Sequence, residues 1–384
     1  MMYEKKPIGR LVTLRQGFAI NKNTKHHMSD EPTKLHLLRI GDMKNNDFQV
    51  YVKDTIPKRF IAKDDDIIYT RTGQVGLVFR NQYGVVHNNC FTVTSNDKNE
   101  LFQSYLFYAL QEKSFYEEAL SRATGAAQPD LPHEAFKSIE IYLPPIKIQE
   151  RIVQILDVYD RLIKNNQEQI KLLEEAAQRL YKEWFVDLRF PGYEDIKIVD
   201  GVPEGWHLGT LEEVLVYHDK LRKPLSSMQR QNFKGQYRYY GAAGVLDYVQ
   251  NYLFNGTYLL FGEDGSVVNE NGNPILQYVT GKFWVNNHAH VFTGKEPYST
   301  EYIYMMLKKM NVIDVVSGVA QPKISKARLN AKKILVPDKN TVMIYNEKVK
   351  SIFEQILLLE KVVDLLNNAR NRLLPKLMNG EIEV

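Results

Sequence analysis

The chain has one cysteine, Cys90, among its 384 residues. That excludes intramolecular disulfides and any cysteine-rich metal site, and it fits a reducing compartment. No run approaches the eighteen or more apolar residues of a membrane helix, and Met1 to Leu11 carries charges where a signal peptide needs an apolar stretch. A cytoplasmic protein without a membrane partner is therefore expected. A large charge of one sign is missing as well, since the formal net charge is only +4. The 44% apolar and 25% charged composition describes a soluble globular protein, and the length implies two or more domains.

Catalytic patterns are also lacking. Pro144-Pro145 has Leu143 before it and Ile146 after it, so it cannot be the Asn/Asp-Pro-Pro-aromatic grip of an adenine methyltransferase. Gly281-Lys282 has Leu276 where a phosphate-binding loop needs its first glycine. Asp64-Asp65-Asp66 are consecutive, alternate faces in a strand and read as a solvated turn, not an ion site. His26-His27 and His288/His290 lack further ligands at metal spacing. No catalytic, cofactor-binding or metal residues are expected.

What the sequence does have is two heptad seams. Ile152, Leu156, Tyr159, Ile163, Asn166, Ile170, Leu173, Ala177, Leu180 and Trp184 follow one another in alternating steps of four and three. That spacing predicts a helix with one stripe packed on another helix, about 60 Å long if it runs for forty residues. The buried asparagine is expected to fix register. A partner stripe follows the same steps: Tyr345, Val349, Ile352, Ile356, Leu359, Val363, Leu366, Arg370, Leu373 and Leu377, with Pro375 expected to end or kink its helix.

The remainder is duplicated. Thr124-Gly125-Ala126-Ala127-Gln128-Pro129 returns as Ser317-Gly318-Val319-Ala320-Gln321-Pro322, and a proline lies sixteen residues beyond each glutamine, at Pro144 and Pro337. Val86-His87-Asn88-Asn89 is echoed by Val285-Asn286-Asn287-His288, and the turn at Gly73 by that at Gly265. Ile67–Thr70 and Gly76–Phe79 read as a hairpin, and Leu101 to Glu118 as one helix. The order is globular unit, rod, globular unit, rod, an internal repeat with an approximate two-fold relation.

Five marks then carry a family resemblance: Pro203-x-Gly205-Trp206, the Gly-Ala-Ala-Gln-Pro turn, Leu143-Pro-Pro-x-x-x-Gln-Glu150, Glu175 to Trp184, and Asn379-Gly-Glu-Ile382. Together they resemble the DNA-specificity subunit of type I restriction–modification systems over nearly the whole chain. The departure is Lys6-Pro7-Ile8-Gly9, which stands where the Pro-x-Gly-Trp opening would be. The resemblance implies an α+β fold: two mixed α/β target-recognition domains (1–145 and 191–340) and two long antiparallel coiled-coil helices (146–190 and 341–384). It implies recognition of a split, asymmetric site on double-stranded DNA. It also implies two modification (methyltransferase) subunits and restriction (endonuclease/translocase) subunits as partners. S-adenosylmethionine, ATP and Mg would be held by those partners only.

DNA-contacting residues are expected among exposed cations and amides. Residues 1–63 hold nine Lys and four Arg against four Asp and two Glu, and residues 217–240 hold six cations against one Asp. Lys22 and Lys25 in the first unit, and Lys220, Arg222, Lys223 and Arg230 in the second, are candidates for phosphates. Arg71, Gln74, Asn88 and Asn89, and Asn286, Asn287 and His288, are candidates for base edges. The paired asparagines could equally cap a turn. The Gly-x-Ala-Gln-Pro turns occur in both units, which favours structural or backbone-contacting roles, with Gln128, Gln321 and Lys323 as candidate phosphate donors. The rival function is a protein–protein scaffold with two binding modules.

Overall fold

The computed structural model describes residues 3–63, 65–125, 127–265, 267–318 and 321–384. The chain divides into two compact units, Met1–Asn165 with Val362–Val384, and Asn166–Lys361. Asp64 of the triple aspartate, Ala126 of the first motif and Val319-Ala320 of the second lie outside the described residues.

In the first unit, an antiparallel sheet runs in the order Val12–Gln16, Cys90–Ser95, Ile67–Thr70, Val78–Phe79. A second sheet runs Met28–Ser29, Tyr51–Val52, Leu35–Leu38, Val85–Val86, its last pair parallel. Helix α1 (Ile40–Asn45) follows the parallel strand and closes on Asn46 in the left-handed region. The expected single helix over 101–118 is two helices, α2 (Gln103–Ala109) and α3 (Lys113–Arg122). The break comes where the Glu112 carboxylate caps a new start, accepting from the Ser114 and Phe115 N–H groups at 2.9 and 3.3 Å. With α4 (His133–Lys137), they enclose a core around Tyr69, Phe91, Tyr105, Phe115 and Phe136.

Helix α5 (Ile146–Phe185) begins after Pro144-Pro145 and carries the whole first seam, Ile152 to Trp184. The second unit contains the short helices α6 (Leu211–Val214) and α7 (Ser227–Asn232). Its six-stranded sheet runs Leu215–Tyr217, Ala289–Gly294, Phe254–Gly262, Leu276–Val285, Lys234–Gly241, Gly244–Val249. That is the order of the first unit's two sheets joined. The strand that is continuous over Leu276–Val285 is broken in the first unit into Val78–Phe79 and Val85–Val86. Asn81 and Gly84, both at positive φ, turn the chain between the two pieces. Helix α8 (Thr300–Lys308) covers the sheet, α9 (Lys326–Asn330) lies against α6, and α10 (Lys339–Met378) is the last helix. The opening strands also match: Lys5–Pro7 pairs with Glu140–Tyr142, and His207–Thr210 with Lys333–Val336.

Helix pairing is visible inside each unit separately. In the first, Ile152, Val153 and Leu156 of α5 share a core with Leu374, Leu377 and Met378 of α10, and Arg370 donates to Asp160 at 2.6 Å. In the second, Ala177, Tyr181 and Trp184 of α5 pack with Tyr345, Val349 and Phe353 of α10. Early residues of one helix meet late residues of the other in both units, so the pairing is antiparallel. All thirteen residues placed in the seam, from Ile152 to Leu173 and from Val349 to Leu366, are buried or half-buried, Asn166 included. Helix α10 does not stop at Pro375 but runs on to Met378. The turn around it buries Leu374, Leu377 and Met378 in the first unit's core, which offsets the missing backbone donor.

Candidate nucleic-acid interface

Three segments meet at one end of the first unit's sheet: the hairpin after Ile67–Thr70, the turn at 87–90, and the Gln-Pro turn. Arg71 N–H donates to the Asn89 carbonyl at 2.8 Å, Gly73 N–H to the Pro129 carbonyl at 2.8 Å, and Leu131 N–H to the Arg71 carbonyl at 3.0 Å. The second unit repeats the arrangement. Glu263 N–H donates to the His288 carbonyl at 2.9 Å, Gly265 N–H to the Pro322 carbonyl at 3.1 Å, and Ile324 N–H to the Glu263 carbonyl at 2.9 Å. These bonds align Arg71 with Glu263, Asn89 with His288, and Asp130 with Lys323. The motif glycine has a steric reason. Gly125 and Gly318 stand at φ +93° and +82°, and a Cβ on either would lie 2.7 or 2.6 Å from the Gln128 or Gln321 carbonyl oxygen.

The shared frame carries opposite charges in its two copies. In the first unit Arg71 forks onto Asp130, with Nε and Nη2 at 3.1 and 2.6 Å from the two carboxylate oxygens, and Nη1 on Gln16 at 3.1 Å. The Arg71 hydrogen bond, with a second from Thr72, holds the Asp130 carboxyl below its ordinary range against the opposing effect of burial. In the second unit the hairpin carries Glu263, which accepts from Arg222 at 2.7 Å and faces Lys323 at 3.6 Å. Arg222 also donates to the Ala289 carbonyl at 2.7 Å, and His290 bonds Asp219 at 2.7 Å and the Ile324 carbonyl at 3.1 Å. Burial pushes the Asp219 carboxyl up, but the bonds from His290 and the Val291 N–H, with the Arg222 charge, hold it below the ordinary value.

The sequence-picked residues therefore divide. Arg71, Arg222 and Lys323 face carboxylates inside the frame. Asn286 is buried and its Oδ1 accepts from the His288 N–H at 2.9 Å, so it caps its turn, while His288 Nδ1 lies 2.7 Å from Asp264. Lys22, Lys25, Lys220, Lys223, Gln74, Gln128 and Gln321 are exposed, and Asn88 and Asn89 half-exposed. Asn287 contributes its carbonyl to Arg222 at 3.4 Å. Asp66 is not a solvated turn residue. It is 5% exposed and accepts from Arg15, Thr94 and the Lys63 N–H. Helix α1 was not legible in the sequence, yet its Lys44 and Asn45 border the same hairpin. Among the described residues, no group of three His, Cys, Asp or Glu could hold a metal ion, and no helix is long and apolar enough to cross a membrane.

A duplicated module carried on paired helices, with one frame presenting different side chains in each copy, defines a two-module recognition protein. The chain belongs to the type I restriction modification DNA specificity domain family, which matches residues 2–175 and 203–371. It is a specificity subunit of a type I restriction–modification system and carries recognition, not catalysis. It is similar to the type I restriction enzyme MjaIX specificity subunit of Methanocaldococcus jannaschii, 25% identical over 309 residues that cover 75% of this chain and 71% of that one. A putative type I restriction enzyme specificity subunit of Haemophilus influenzae is 38% identical over 141 residues, 37% of this chain and 35% of that one. The fold is like that of the type I restriction–modification S subunit from M. genitalium, with TM-score 0.55 at 17% identity over 98% of this chain and 96% of that one.

Proposed function

We propose that the chain reads a two-part sequence on double-stranded DNA, one part per unit, and that the two parts differ. The observation that carries this reading is the repeated three-bond frame, built on Arg71 and Asp130 in one unit and on Glu263, Lys323 and Arg222 in the other. A common frame gives both modules the same stance, and different side chains on it give them different preferences. Phosphates are met by Lys22 and Lys25 in one unit and by Lys220 and Lys223 in the other, whose side chains are exposed. Base edges are met by the amides beside the hairpins.

The paired helices join the recognition modules to the rest of the complex: two modification subunits, then restriction subunits. Those partners hold S-adenosylmethionine, ATP and Mg and perform the chemistry in the cytoplasm, while this chain selects where. Duplex binding by the purified chain, measured against salt with and without a modification subunit, tests the reading. Salt-sensitive binding that tightens when the subunit is added is the expected result. Binding indifferent to salt and to duplex would replace it with a protein scaffold.

A further inference from the structure

Beside the frame in the first unit lies a concavity of about 350 Å³, bordered by Gly41, Lys44 and Asn45 of α1, Gly73 and Gln74 of the hairpin, and Asn89. Its neighbouring charged groups are engaged: Arg71 with Asp130, and Arg39 with Asp42 at 2.6 and 2.9 Å. Thr72 is bonded to Asp130, and Gln16 to the Asn88 carbonyl at 2.6 Å. Among the described residues, the side-chain amides of Asn45, Gln74 and Asn89 have no such bond. Asn45 and Gln74 are exposed, and the two glycines leave the floor open, because a Cβ at Gly41 or Gly73 would meet nothing within 4 Å.

We infer that this concavity is the base-reading surface of the first unit and that it selects an A·T pair. The inference rests on the proposal that the chain reads duplex DNA. The chemistry of the open groups makes the choice. An amide offers one donor and one acceptor side by side, matching adenine N7 and N6, whereas guanine O6 and N7 call for two donors, as a free guanidinium supplies. Both guanidinium groups beside this surface are held by carboxylates, and Lys44, which also lines the concavity, is assigned to a phosphate.

The second unit shows why the two readers differ. In both units a parallel strand pair precedes the surface, Leu37 and Leu38 on Val85 and Val86, and Tyr239 and Tyr240 on Trp284 and Val285. The first unit then forms α1. The second turns at Gly241–Gly244 into a hairpin that exposes Val245 and Leu246. The element after the parallel strand, added to the side chains that the shared frame presents, makes the two readers differ.

The test uses the full chain with its modification subunits and a duplex carrying the mapped recognition sequence. Gly41→Leu fills the concavity from a position with open space, so folding is retained, and Asn45→Ala with Gln74→Ala removes amides without adding bulk. Each is expected to weaken the cognate duplex about tenfold or more while random-sequence duplex changes less than twofold. In the wild type, 7-deazaadenine at one adenine of the first half-site should produce a similar loss, which the amide variant no longer shows. Cognate affinity within twofold of wild type, a change confined to the second unit's half-site, or sensitivity to 7-deazaguanine instead would overturn the assignment. A wild-type complex that never prefers its cognate duplex would overturn the DNA-reading proposal itself, a distinct result.

Discussion

Arg71 and Asp130, fifty-nine residues apart, are joined by two hydrogen bonds of 3.1 and 2.6 Å, and the matching pair in the other unit, Glu263 and Lys323, has its charges reversed. A hairpin in one copy thus suits its own Gln-Pro turn and repels the other copy's. Arg71→Glu should lower the melting temperature measurably, and adding Asp130→Lys should recover much of the loss. Thermal unfolding of the single and double variants checks this, and a double variant no better than the single would argue against pairing.

The same pair sets a pH dependence. Arg71 depresses the Asp130 carboxyl in the folded chain, so its stabilisation is fully present above the unfolded value near 3.8 and is lost as pH falls through the lower folded value. The stability gap between wild type and Asp130→Asn should be constant from pH 7 to about 5 and should close below about 4. Denaturant unfolding across that range measures it.

The helix joint of the first unit is held by polar contacts as well as by apolar burial. Arg80 donates to Asp157 at 2.9 Å and Asp160 at 3.2 Å and stacks 4.1 Å over Phe107, while the Tyr108 hydroxyl, kept protonated by burial, lies 2.6 Å from Asp157 and 2.8 Å from Asp160 with one proton to share between them. Arg80→Ala should cost about 1–3 kcal/mol, since two half-buried carboxylates lose a donor. Ile152→Ala, at a fully buried seam position, should cost about 2–5 kcal/mol. Equilibrium unfolding separates the two, because only the Arg80 effect should shrink in high salt.

Cys90 lies fully buried, and burial pushes its thiol up to about 12. The native chain should therefore resist a thiol reagent at pH 8 and react once unfolded. Rapid labelling of the native chain would show that this sheet opens easily.

Local signals made the helices and the repeat readable. The four-and-three steps from Ile152 to Trp184 report a stripe, and the Gly-x-Ala-Gln-Pro turns report a backbone that only glycine fits at Gly125 and Gly318. What the sequence hid is long-range. Asp66 reads as one of three solvated aspartates until Arg15, fifty-one residues away, is placed on it. Arg222 reads as a phosphate binder until the sheet brings Glu263 and the Ala289 carbonyl to it. Helix α1 is only six residues long, too short for periodicity to register, so no local signal marks Lys44 and Asn45. Glu112 reads as a mid-helix glutamate because nothing in its neighbours distinguishes a cap from a surface residue.

The most direct test of two independent readers is to replace residues 1–145 with the same region of a relative and map methylated sites in a host carrying the chain with its partner subunits. One half-site should change, with the other half-site and the gap between them preserved. A change in both half-sites, or in neither, would contradict the account.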